Sequence, residues 1–567
     1  MMNRSDRDVL IVGAGPGGLT LANDLAARGI SFRVIDPLPE PVRNSRAHGM
    51  LGRTLMALDK LGLVETMLAA AKKPTPVLRE YFGRKLVAET DFATVRGDPY
   101  PATLPIFQQR VVRVLDAALT ARGHGVEWST GLVTFTMDDE GVVAEVDRNG
   151  IRDTIRAKWI VGCDGGRSTV RKTLTAEFPG EPSGLRGLFC ECDLDWKRSR
   201  DIWWTWQNKE GLVATIYNDF TEKWHILFMD LKKRGSASDS SDFERAGVLL
   251  RQMSGDHDVH LSDPVWIQGD FSPSQRIAEH FIIGHAALTG DAAHVFSSVA
   301  GHGVHCAIED ALNLGWKLGL TISGAASPSL LQTYDTERRG HANDVIRETR
   351  WIQRFMNLRP SLRNVLWTAF YLIGKHLRSI SATFNKQAEK LVSDYGKSPL
   401  SRQDSSAMMP GARAGLHVPD AACRVGGRPS RLLEIIRGPQ ADLLLFVGVC
   451  PTPQTVNALR TVEQSVASLR EHVHVHYVFP SQAYANDAGL SEDDPRVIVD
   501  GLDKIQSEFG IREPEIIYIR PDGYLGLRTQ ELHPHRLRHY LGQIYHVLES
   551  DAVAAAIFGD LTSGEKL

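Results

Sequence analysis

The stretch from Asp8 to Asp36 constrains the fold more than any other, and it reads DVLIVGAGPGGLTLANDLAARGISFRVID. A short apolar strand runs into a glycine-rich turn, a helix rich in alanine and leucine follows, and a second strand ends on Asp36. Strand, GxGxxG turn, helix, strand and acid together form the dinucleotide-binding fingerprint in its full context. The chain is therefore expected to begin with a Rossmann-type βαβ unit.

The glycine-rich turn predicts a phosphate-binding loop. Gly13 allows the tight turn out of the strand, Gly15 lets the backbone approach a pyrophosphate, and Gly18 lets the helix pack closely on the sheet. The helix N-terminus then presents unpaired N–H groups and the positive end of its dipole to the phosphates. The loop is completed by Ala14, Pro16 and Gly17.

Asp36 follows the first glycine by 36 − 13 = 23 residues. This is close to the spacing of about 20 at which an acid accepts hydrogen bonds from ribose hydroxyls. Because an aspartate at this position accommodates no 2′-phosphate, the predicted ligand is FAD or NAD.

Composition bounds the compartment and the partners. The 567 residues are 43% hydrophobic, and 65 basic against 68 acidic side chains give a net charge of −3. This near balance of charge does not predict a surface for binding nucleic acid or an anionic membrane. The six cysteines form no CxxC and no metal-ligand spacing, and no secretory signal is visible, so a reducing, cytoplasmic compartment fits best. The longest apolar run, Val365 to Ile373, is shorter than the 20 or so residues of a membrane span and suits a buried or docking helix.

Further along the chain, two motifs follow apolar strands. Asn149-Gly150 predicts a hairpin turn between two alternating runs, and the next strand, Trp159 to Val161, leads to Asp164 and two glycines. A carboxylate there can sit at the ligand-binding edge of the sheet, or it can occupy the first position of a type I turn. A later strand runs into Thr289-Gly-Asp-Ala-Ala-His294. A Gly-containing loop then precedes a long helix with one apolar face.

Residues 181–280 are strand-rich and aromatic, and they contain no dinucleotide motif. They suit a sheet with one face over a binding cavity, or a sheet whose aromatic residues all pack in a core. The sequence leaves both alternatives open for Trp196, Trp203, Trp204, Trp206, Tyr217, Phe220, Trp224 and Phe228.

Three motifs in order give the chain its family resemblance: GAGPGG at 13–18, CDGGRSTVR at 163–171 and TGDAAH at 289–294. Two weaker motif matches support the same resemblance, YDTERR at 334–339 and IRPDGYLGLR at 519–528. Over nearly its whole length the chain resembles the FAD-dependent group A aromatic hydroxylases. The subgroup with a thioredoxin-like C-terminal domain, which includes 3-(3-hydroxyphenyl)propionate and polyketide hydroxylases, is the most similar.

The resemblance implies an α/β (α+β) fold in three domains. A Rossmann-type FAD-binding domain would cover residues 1–180 and 281–400, with a β-rich substrate-binding domain inserted at 181–280 and a thioredoxin-like domain at 401–567. In the last domain Cys450 has no partner cysteine nearby, so disulfide exchange is not expected. A structural or dimer-forming role, giving a homodimer, is expected instead.

Roles for FAD-binding residues are carried over by matching position. Gly13, Gly15 and Gly18 would cradle the pyrophosphate, and Asp36 would hold the adenosine ribose. The resemblance further implies that Arg46, in SRAHG, reaches the FAD phosphates and the mobile flavin, and that Gln108, in FQQRVVRVL, contacts FAD. Val112 stands where the family often has Glu. Asp164 belongs to a box associated with FAD and NAD(P)H, and Asp291 would bind the ribitol and phosphate side of FAD.

Around the flavin ring the chain departs from the family pattern. Where the family commonly reads HxxPPxGGQGMNxG, this chain reads HVFSSVAGHGVHCA, with Ser297, Ser298, Ala300, His302 and His305 at the changed positions. Main-chain contacts from Gly303 and Val304 can survive these changes because they need no side chain. The two histidines either titrate or donate near the flavin within the physiological range, or they are hydrogen-bonded packing residues.

The implied activity is hydroxylation of a phenolic or other electron-rich aromatic substrate by O2 and NAD(P)H through a flavin C4a-hydroperoxide. The cofactor carries that chemistry, no metal is needed, and a general base would assist deprotonation of the phenol. His48 and His225 are the candidate catalytic residues.

Three alternatives remain open. One is a halogenase, because Trp204-Thr205-Trp206 resembles part of the WxWxIP box, although Asn208 and Lys209 then replace Ile and Pro. The second is a flavin-dependent dehydrogenase or reductase without oxygen transfer. The third is a non-catalytic FAD-binding protein, which only the altered loop supports.

Overall fold

The structure, a computed structural model, describes residues 6–41, 47–72, 75–93, 99–182, 186–208, 211–230, 242–271, 274–296, 301–356, 393–404, 411–491, 493–501 and 503–546, without the side chains of 186, 230, 269–271 and 351–356. Arg46, Ser297, Ser298, Ala300 and the apolar run Val365–Ile373 lie outside the described residues. Within the described ranges, no helix is both long and apolar enough to cross a bilayer.

The secondary-structure elements are numbered here in chain order. Residues 6–182 form β1 (Asp6–Val12), α1 (Pro16–Ala27), β2 (Phe32–Ile35), β3 (Gly49–Leu51), α2 (Gly52–Asp59), α3 (Val64–Ala70), β4 (Val77–Phe82), β5 (Lys85–Asp91), β6 (Thr103–Pro105), α4 (Gln108–Ala121), β7 (Val126–Glu127), β8 (Thr130–Asp138), β9 (Gly141–Arg148), β10 (Ile151–Gly162), α5 (Thr169–Thr173) and β11 (Gly180–Pro182). Residues 186–271 form β12 (Arg186–Asp195), β13 (Ile202–Gln207), β14 (Gly211–Asn218), β15 (Lys223–Asp230), α6 (Asp242–Ser254) and β16 (His260–Phe271).

The remaining elements follow in two groups. Residues 274–356 form β17 (Ser274–Ile277), β18 (Ile282–Ile283), β19 (Ala286–Leu288), β20 (His294–Val295), α7 (Gly303–Ile322), α8 (Gln332–Tyr334), a π-helical turn (Asp335–Arg339) and α9 (Gly340–Met356). Residues 402–542 form β21 (Arg402–Gln403), β22 (Ala422–Val425), β23 (Arg428–Arg431), α10 (Leu432–Ile435), β24 (Ala441–Phe446), α11 (Pro453–Ser465), β25 (Val473–Phe479), α12 (Gln482–Asp487), β26 (Val497–Val499), α13 (Lys504–Phe509), β27 (Glu515–Ile519), β28 (Leu525–Thr529) and α14 (Pro534–Gly542).

The first sheet confirms the α/β class. Its strands run in the order β18-β19-β10-β1-β2-β7, and β19, β10, β1, β2 and β7 are parallel. The residues Val9 to Ile11 of β1 are fully buried, as expected for a parallel strand covered on both faces, which explains their continuous apolar run.

The hairpin predicted around Asn149-Gly150 is present between β9 and β10, but the separate strand expected at Trp159 to Val161 is wrong. Residues 151–162 form one strand, which pairs antiparallel with β9 over Ile151–Ala157 and parallel with β1 over Arg156–Gly162. One long strand therefore serves both the hairpin and the parallel sheet, because a change of strand partner needs no break in extended backbone.

The aromatic segment forms a second sheet, in the order β16-β12-β15-β14-β13-β4-β5. Strands β4 and β5 come from before residue 181, so this sheet is built from two separate stretches of chain. Its two faces differ. Trp204, Trp206 and Trp224 pack in a core with α6, whereas Trp203 and His225, at the alternate positions, project from the other face. The core alternative therefore describes the face of Trp204, Trp206 and Trp224, and a binding cavity over the other face stays a prediction.

The C-terminal sheet runs β21-β28-β27-β24-β25-β26-β22-β23. Its central strand β24 is fully buried, and the cores on its two faces extend into the FAD-binding part of the chain. Leu443 packs in the core that includes Trp316 of α7, and Leu444 packs in the core that includes Met56 of α2. The C-terminal unit is thus docked through apolar contacts on both faces. Its thioredoxin-like character and the domain boundaries stay predictions.

Candidate active site

In the turn between β1 and α1, two of the three fingerprint glycines leave no room for a side chain, and the third does. Gly13 has φ +105°, and a Cβ there would lie 2.5 Å from the carbonyl oxygen of Cys163. A Cβ on Gly18 would lie 1.9 Å from the oxygen of Gly13, whereas one on Gly15 would meet no atom within 4 Å. The backbone at Gly15 therefore borders open space, the place for which a pyrophosphate was predicted.

The other residues of this loop set up the start of α1. Pro16 is the first helical residue, where the N–H that proline lacks would have no partner in the helix anyway. A Cβ on Gly17 would lie 3.2 Å from the oxygen of Ala307, so α1 approaches α7 closely. The first-turn N–H groups, which no helix satisfies internally, remain for a ligand.

Asp36 is fixed by the main chain of the same loop. Its Oδ2 accepts from the N–H of Ala14 at 2.8 Å, and its Oδ1 accepts from the N–H of Leu38 at 2.9 Å. A carboxylate oxygen has a second lone pair. Both oxygens can therefore still accept from ribose hydroxyls while the backbone holds the carboxylate in place.

Asp164 caps a helix instead of opening a type I turn. Its Oδ2 accepts from the N–H groups of Thr169 at 2.6 Å and Val170 at 3.2 Å, at the start of α5. Its Oδ1 is buried and has no hydrogen-bond partner among the described residues. That orphaned oxygen is the one feature of Asp164 that leaves room for a contact with a nucleotide.

Asp291 lies on a 3₁₀ turn, Gly290–Ala292, directly after β19. Its side chain is exposed, and its Oδ1 lies 3.6 Å from the place that a Cβ on Gly303 would take. The carboxylate therefore sits beside the N-terminus of α7, where Gly303 and Val304 are the first two helical residues.

The two histidines of the altered loop lie at the same helix end. His302 immediately precedes α7, and His305 Nδ1 lies 3.1 Å from Thr54 Oγ1 of α2. Burial lowers the pKa of His302 from 6.5 to about 4 and that of His305 to about 3. Both rings are therefore neutral at physiological pH, which disfavours titration there but leaves each ring an N–H that can donate. The hydrogen bond of His305 to Thr54 favours the packing alternative for that residue.

Gln108 begins α4, and its N–H donates to the carbonyl oxygen of Ala47 at 3.0 Å. The carbonyl oxygen of His48, the residue after Ala47, accepts from the N–H of Ile106 at 3.2 Å. These backbone bonds join the segment that follows Arg46 to the start of α4. Gln108 and His48 therefore lie on adjoining segments of chain.

The structure brings the two candidate catalytic residues together. The ring centroids of His48 and His225 are 4.4 Å apart, and Phe107, Phe189 and Trp266 contact one ring or the other. His225 is buried and His48 is half-buried. Nε2 of His48 and both ring nitrogens of His225 are buried without a hydrogen-bond partner among the described residues.

Desolvation sets the charge of the pair. Burial of its ring lowers the pKa of His48 from 6.5 to about 4, and burial together with the neighbouring His48 lowers the pKa of His225 well below 6.5. Both imidazoles are neutral at pH 7, so each has a nitrogen lone pair that can accept a hydrogen bond.

Sequence reasoning missed the residues that surround these sites. Phe107, Phe189 and Trp266 form the wall around the histidine pair, and only the alternation of β12 could have placed Phe189 on the face of His225. Asp310 of α7 binds the turn that carries Asp291, since its Oδ2 accepts from the N–H of Gly290 at 2.8 Å. No motif pointed to Asp310, because its partners are distant in sequence.

The residues present fit FAD. The loop at Gly15 is open, both oxygens of Asp36 keep an accepting lone pair, and the exposed carboxylate of Asp291 lies at the start of α7. A glycine-rich cradle on a parallel sheet, with an acid at the end of β2, defines a dinucleotide-binding protein of the Rossmann type.

Comparisons with known proteins specify the class. A family model described as "FAD binding domain" matches residues 6–349. The chain is 29% identical to 6-methylpretetramide 4-monooxygenase of Streptomyces rimosus, over 97% of this chain and 95% of that protein. It is 30% identical to pentachlorophenol 4-monooxygenase of Sphingobium chlorophenolicum, over 61% of this chain and 64% of that protein.

Among solved structures, OxyS anhydrotetracycline hydroxylase of Streptomyces rimosus superimposes with a TM-score of 0.70 at 25% identity, covering 95% of this chain and 99% of that one. The chain belongs to the FAD-binding family of flavin-dependent aromatic monooxygenases. The predicted class of activity, aromatic monooxygenase, is thereby confirmed over the reductase and non-catalytic alternatives.

Proposed function

We propose that the protein hydroxylates a phenolic ring with O2 and NAD(P)H, and that His48 and His225 accept the phenolic proton. The balanced reaction is ArOH + O2 + NAD(P)H + H⁺ → Ar(OH)₂ + H₂O + NAD(P)⁺. One oxygen atom enters the ring and the other leaves as water, while the nicotinamide loses a hydride. Bound FAD supplies hydride acceptance and O2 activation.

The observation that carries the proposal is the set of unpaired nitrogens on the histidine pair. Buried polar atoms in native proteins are rarely left without a partner, and an exception calls for a ligand or water. A phenol hydroxyl would donate to a neutral imidazole, and its proton would shift toward that nitrogen as the ring gains electron density in the transition state. Because a phenol has a pKa near 10 and is protonated at pH 7, such an acceptor activates the ring without a free phenolate.

The surroundings of the pair favour an aromatic ring over an aliphatic substrate. Phe107, Phe189 and Trp266 offer edges and faces within 6.2 Å of a histidine ring. By their names, two relatives act on 6-methylpretetramide and on pentachlorophenol. These aromatic walls and the named substrates together favour a phenolic substrate.

Each part of FAD would be held by a different group of the predicted residues. Gly13, Gly15 and Gly18, with Ala14, Pro16 and Gly17, would bind the pyrophosphate, and Asp36 would bind the ribose. At the flavin end, Asp291, Gly303 and Val304 lie together, and Gln108, Arg46 and Asp164 complete the proposed set. We further propose a homodimer and a cytoplasmic location.

The test is anaerobic reduction of the FAD-loaded protein by NADH and by NADPH, with and without a panel of substituted phenols, followed at the flavin absorbance band. We expect a phenol to accelerate reduction, and admission of air to yield hydroxylated product. Reduction that no phenol accelerates, or reoxidation that yields only hydrogen peroxide with every phenol, would contradict the proposal.

A further inference from the structure

A chain of buried charges runs from the turn that carries Asp291 to the C-terminal domain. It begins at Asp310 of α7, whose Oδ2 accepts from the N–H of Gly290 at 2.8 Å and from His294 Nε2 at 2.7 Å. Its Oδ1 accepts from Nε of Arg338 at 2.6 Å. Asp310 and Arg338 are both fully buried.

Arg338 then links this carboxylate to residues that follow α9. Its Nη1 donates to the hydroxyl oxygens of Ser393 at 2.7 Å and Tyr395 at 2.8 Å. The guanidinium is planar and always charged, so its several donors fix the angle between Asp310 and the two hydroxyls.

The preceding residue, Glu337, faces the C-terminal domain. Its two carboxylate oxygens accept from Nη1 and Nη2 of Arg520 at 2.7 and 2.9 Å, and Lys317 of α7 donates to it at 2.7 Å. Arg520 also binds Asp522, which accepts from the indole N–H of Trp316. The cations beside Glu337 hold the pKa of its carboxyl well below its ordinary value although the group is buried.

Glu337 and Arg338 lie in a π-helical turn, residues 335–339. Consecutive side chains of a helix project about 100° apart, so the two residues contact different partners. The flanking residues pin the turn as well. The hydroxyl of Tyr334 donates to the carbonyl oxygen of Leu288, and Asp335 accepts from the N–H of Phe281, at 2.7 and 2.6 Å.

We propose that Glu337 and Arg338 are positioning residues through which the docked C-terminal domain holds the Gly290–Ala292 turn in the geometry that retains FAD. The proposal rests on the proposed contact between Asp291 and FAD. The proposal gives a role to the two weaker motifs, since YDTERR contains the π turn and IRPDGY contains Arg520 and Asp522.

The test measures how fast FAD leaves the holoenzyme. Full-length protein loaded with FAD is diluted, and the return of free-flavin fluorescence gives the dissociation rate without NAD(P)H or a phenol. We expect Glu337→Gln, which keeps the shape of the side chain but removes its charge, to release FAD about tenfold faster than wild type.

The matched control is Arg437→Gln. Arg437 also joins the C-terminal domain to the FAD-binding part, through Asp59 at 2.6 Å and Glu65 at 2.5 Å, but it leads to α2 and α3 and not to the Asp291 turn. We expect this variant to release FAD at the wild-type rate. Equal acceleration in both variants would show that any loosening of the domain contact suffices, and would overturn the proposal.

A milder variant keeps the test informative if Glu337→Gln fails to fold. Tyr395→Phe removes one hydroxyl that accepts from Arg338, and it should accelerate FAD release about two- to threefold. If Glu337→Gln lowers the melting temperature but leaves the release rate unchanged, the network is merely structural and the proposal is wrong. An unchanged rate in Tyr395→Phe would also contradict it. Because the assay contains no substrate, its results do not depend on whether the protein hydroxylates a phenol.

Discussion

The imidazole rings of His48 and His225 lie 4.4 Å apart between centroids and cross at 71°, although one precedes β3 and the other lies in β15. Each residue was a separate candidate for the general base, and the structure makes them one site. Two neutral imidazoles in contact cannot both be protonated cheaply, because like charges at this distance repel strongly in a buried setting. We therefore expect the pair to accept one proton.

Replacing His225 by Asn should lower kcat/KM for hydroxylation of a phenol by about hundredfold, the typical contribution of a general base. The rate of hydroxylated product formation, with NAD(P)H consumption measured in parallel, checks this. His285→Asn is the control, since His285 is a half-exposed residue that contacts Trp159, away from the pair. Wild-type product formation by His225→Asn would exclude the role proposed for it.

The stability of the protein should fall as the pH falls from 6.5 to about 4. Burial lowers the pKa of His48 to about 4, so in this window the unfolded chain binds a proton that the folded chain excludes. The free energy of unfolding therefore decreases as the pH falls, and the contribution is fully present above pH 6.5. For His48 alone this contribution is below about 3.5 kcal/mol, because solvent screening at its partly exposed ring reduces it.

Melting temperatures of wild type and His48→Gln between pH 7 and 4 check this dependence. The substitution should flatten the curve, because glutamine takes up no proton in the window. A curve as steep as that of wild type would show that other groups cause the acid sensitivity. His285→Gln serves as the control and should leave the slope unchanged.

Two glycine substitutions should separate folding from FAD binding. Gly13→Ala forces a Cβ to within 2.5 Å of a carbonyl oxygen at φ +105°, so we expect it to lower both the melting temperature and the FAD content. Gly15→Ala places its Cβ in open space, so we expect a wild-type melting temperature for the apoprotein and a clear loss of FAD affinity. Undiminished FAD binding by Gly15→Ala would mean that the pyrophosphate lies elsewhere.

Thiol titration of the native protein should detect one fast-reacting cysteine. Cys450 is exposed, whereas Cys190, Cys192, Cys306 and Cys423 are buried and Cys163 is half-buried. Burial also raises the pKa of Cys163 and Cys423 to about 12, which keeps both as unreactive thiols. Cys450→Ser should abolish the fast phase and leave hydroxylation unchanged. More than one fast thiol per chain would contradict this assignment.

The sequence predicted the local geometry of the glycine-rich loop closely. Gly13, Gly15 and Asp36 lie where their spacing implied, because the βαβ unit is local and its turn geometry is fixed by residues adjacent in the chain. The hairpin at Asn149-Gly150 was predictable for the same reason. The long helix α7 was recognised from its apolar face, but its buried polar residues Asp310 and Lys317 were not.

Elements that depend on distant partners were predicted less well. The strand expected at Trp159 to Val161 is the second half of β10, because its continuity depends on pairing with β1 and β19. For Asp164 the sequence left a sheet edge and a type I turn open, and its capping of α5 was not foreseen.

The sequence by itself determined the family, through the resemblance of three motifs, and the α/β class, through the local βαβ pattern. The residues proposed to hold FAD also follow from the sequence alone. Only the tertiary structure decided which aromatic residues face the core of the second sheet, and that His48 meets His225. It alone joined Glu337 to Arg520 and Arg338 to Asp310. These relationships depend on how strands and helices far apart in the chain pack, and side-chain contacts across such distances leave no periodic or compositional trace in one sequence.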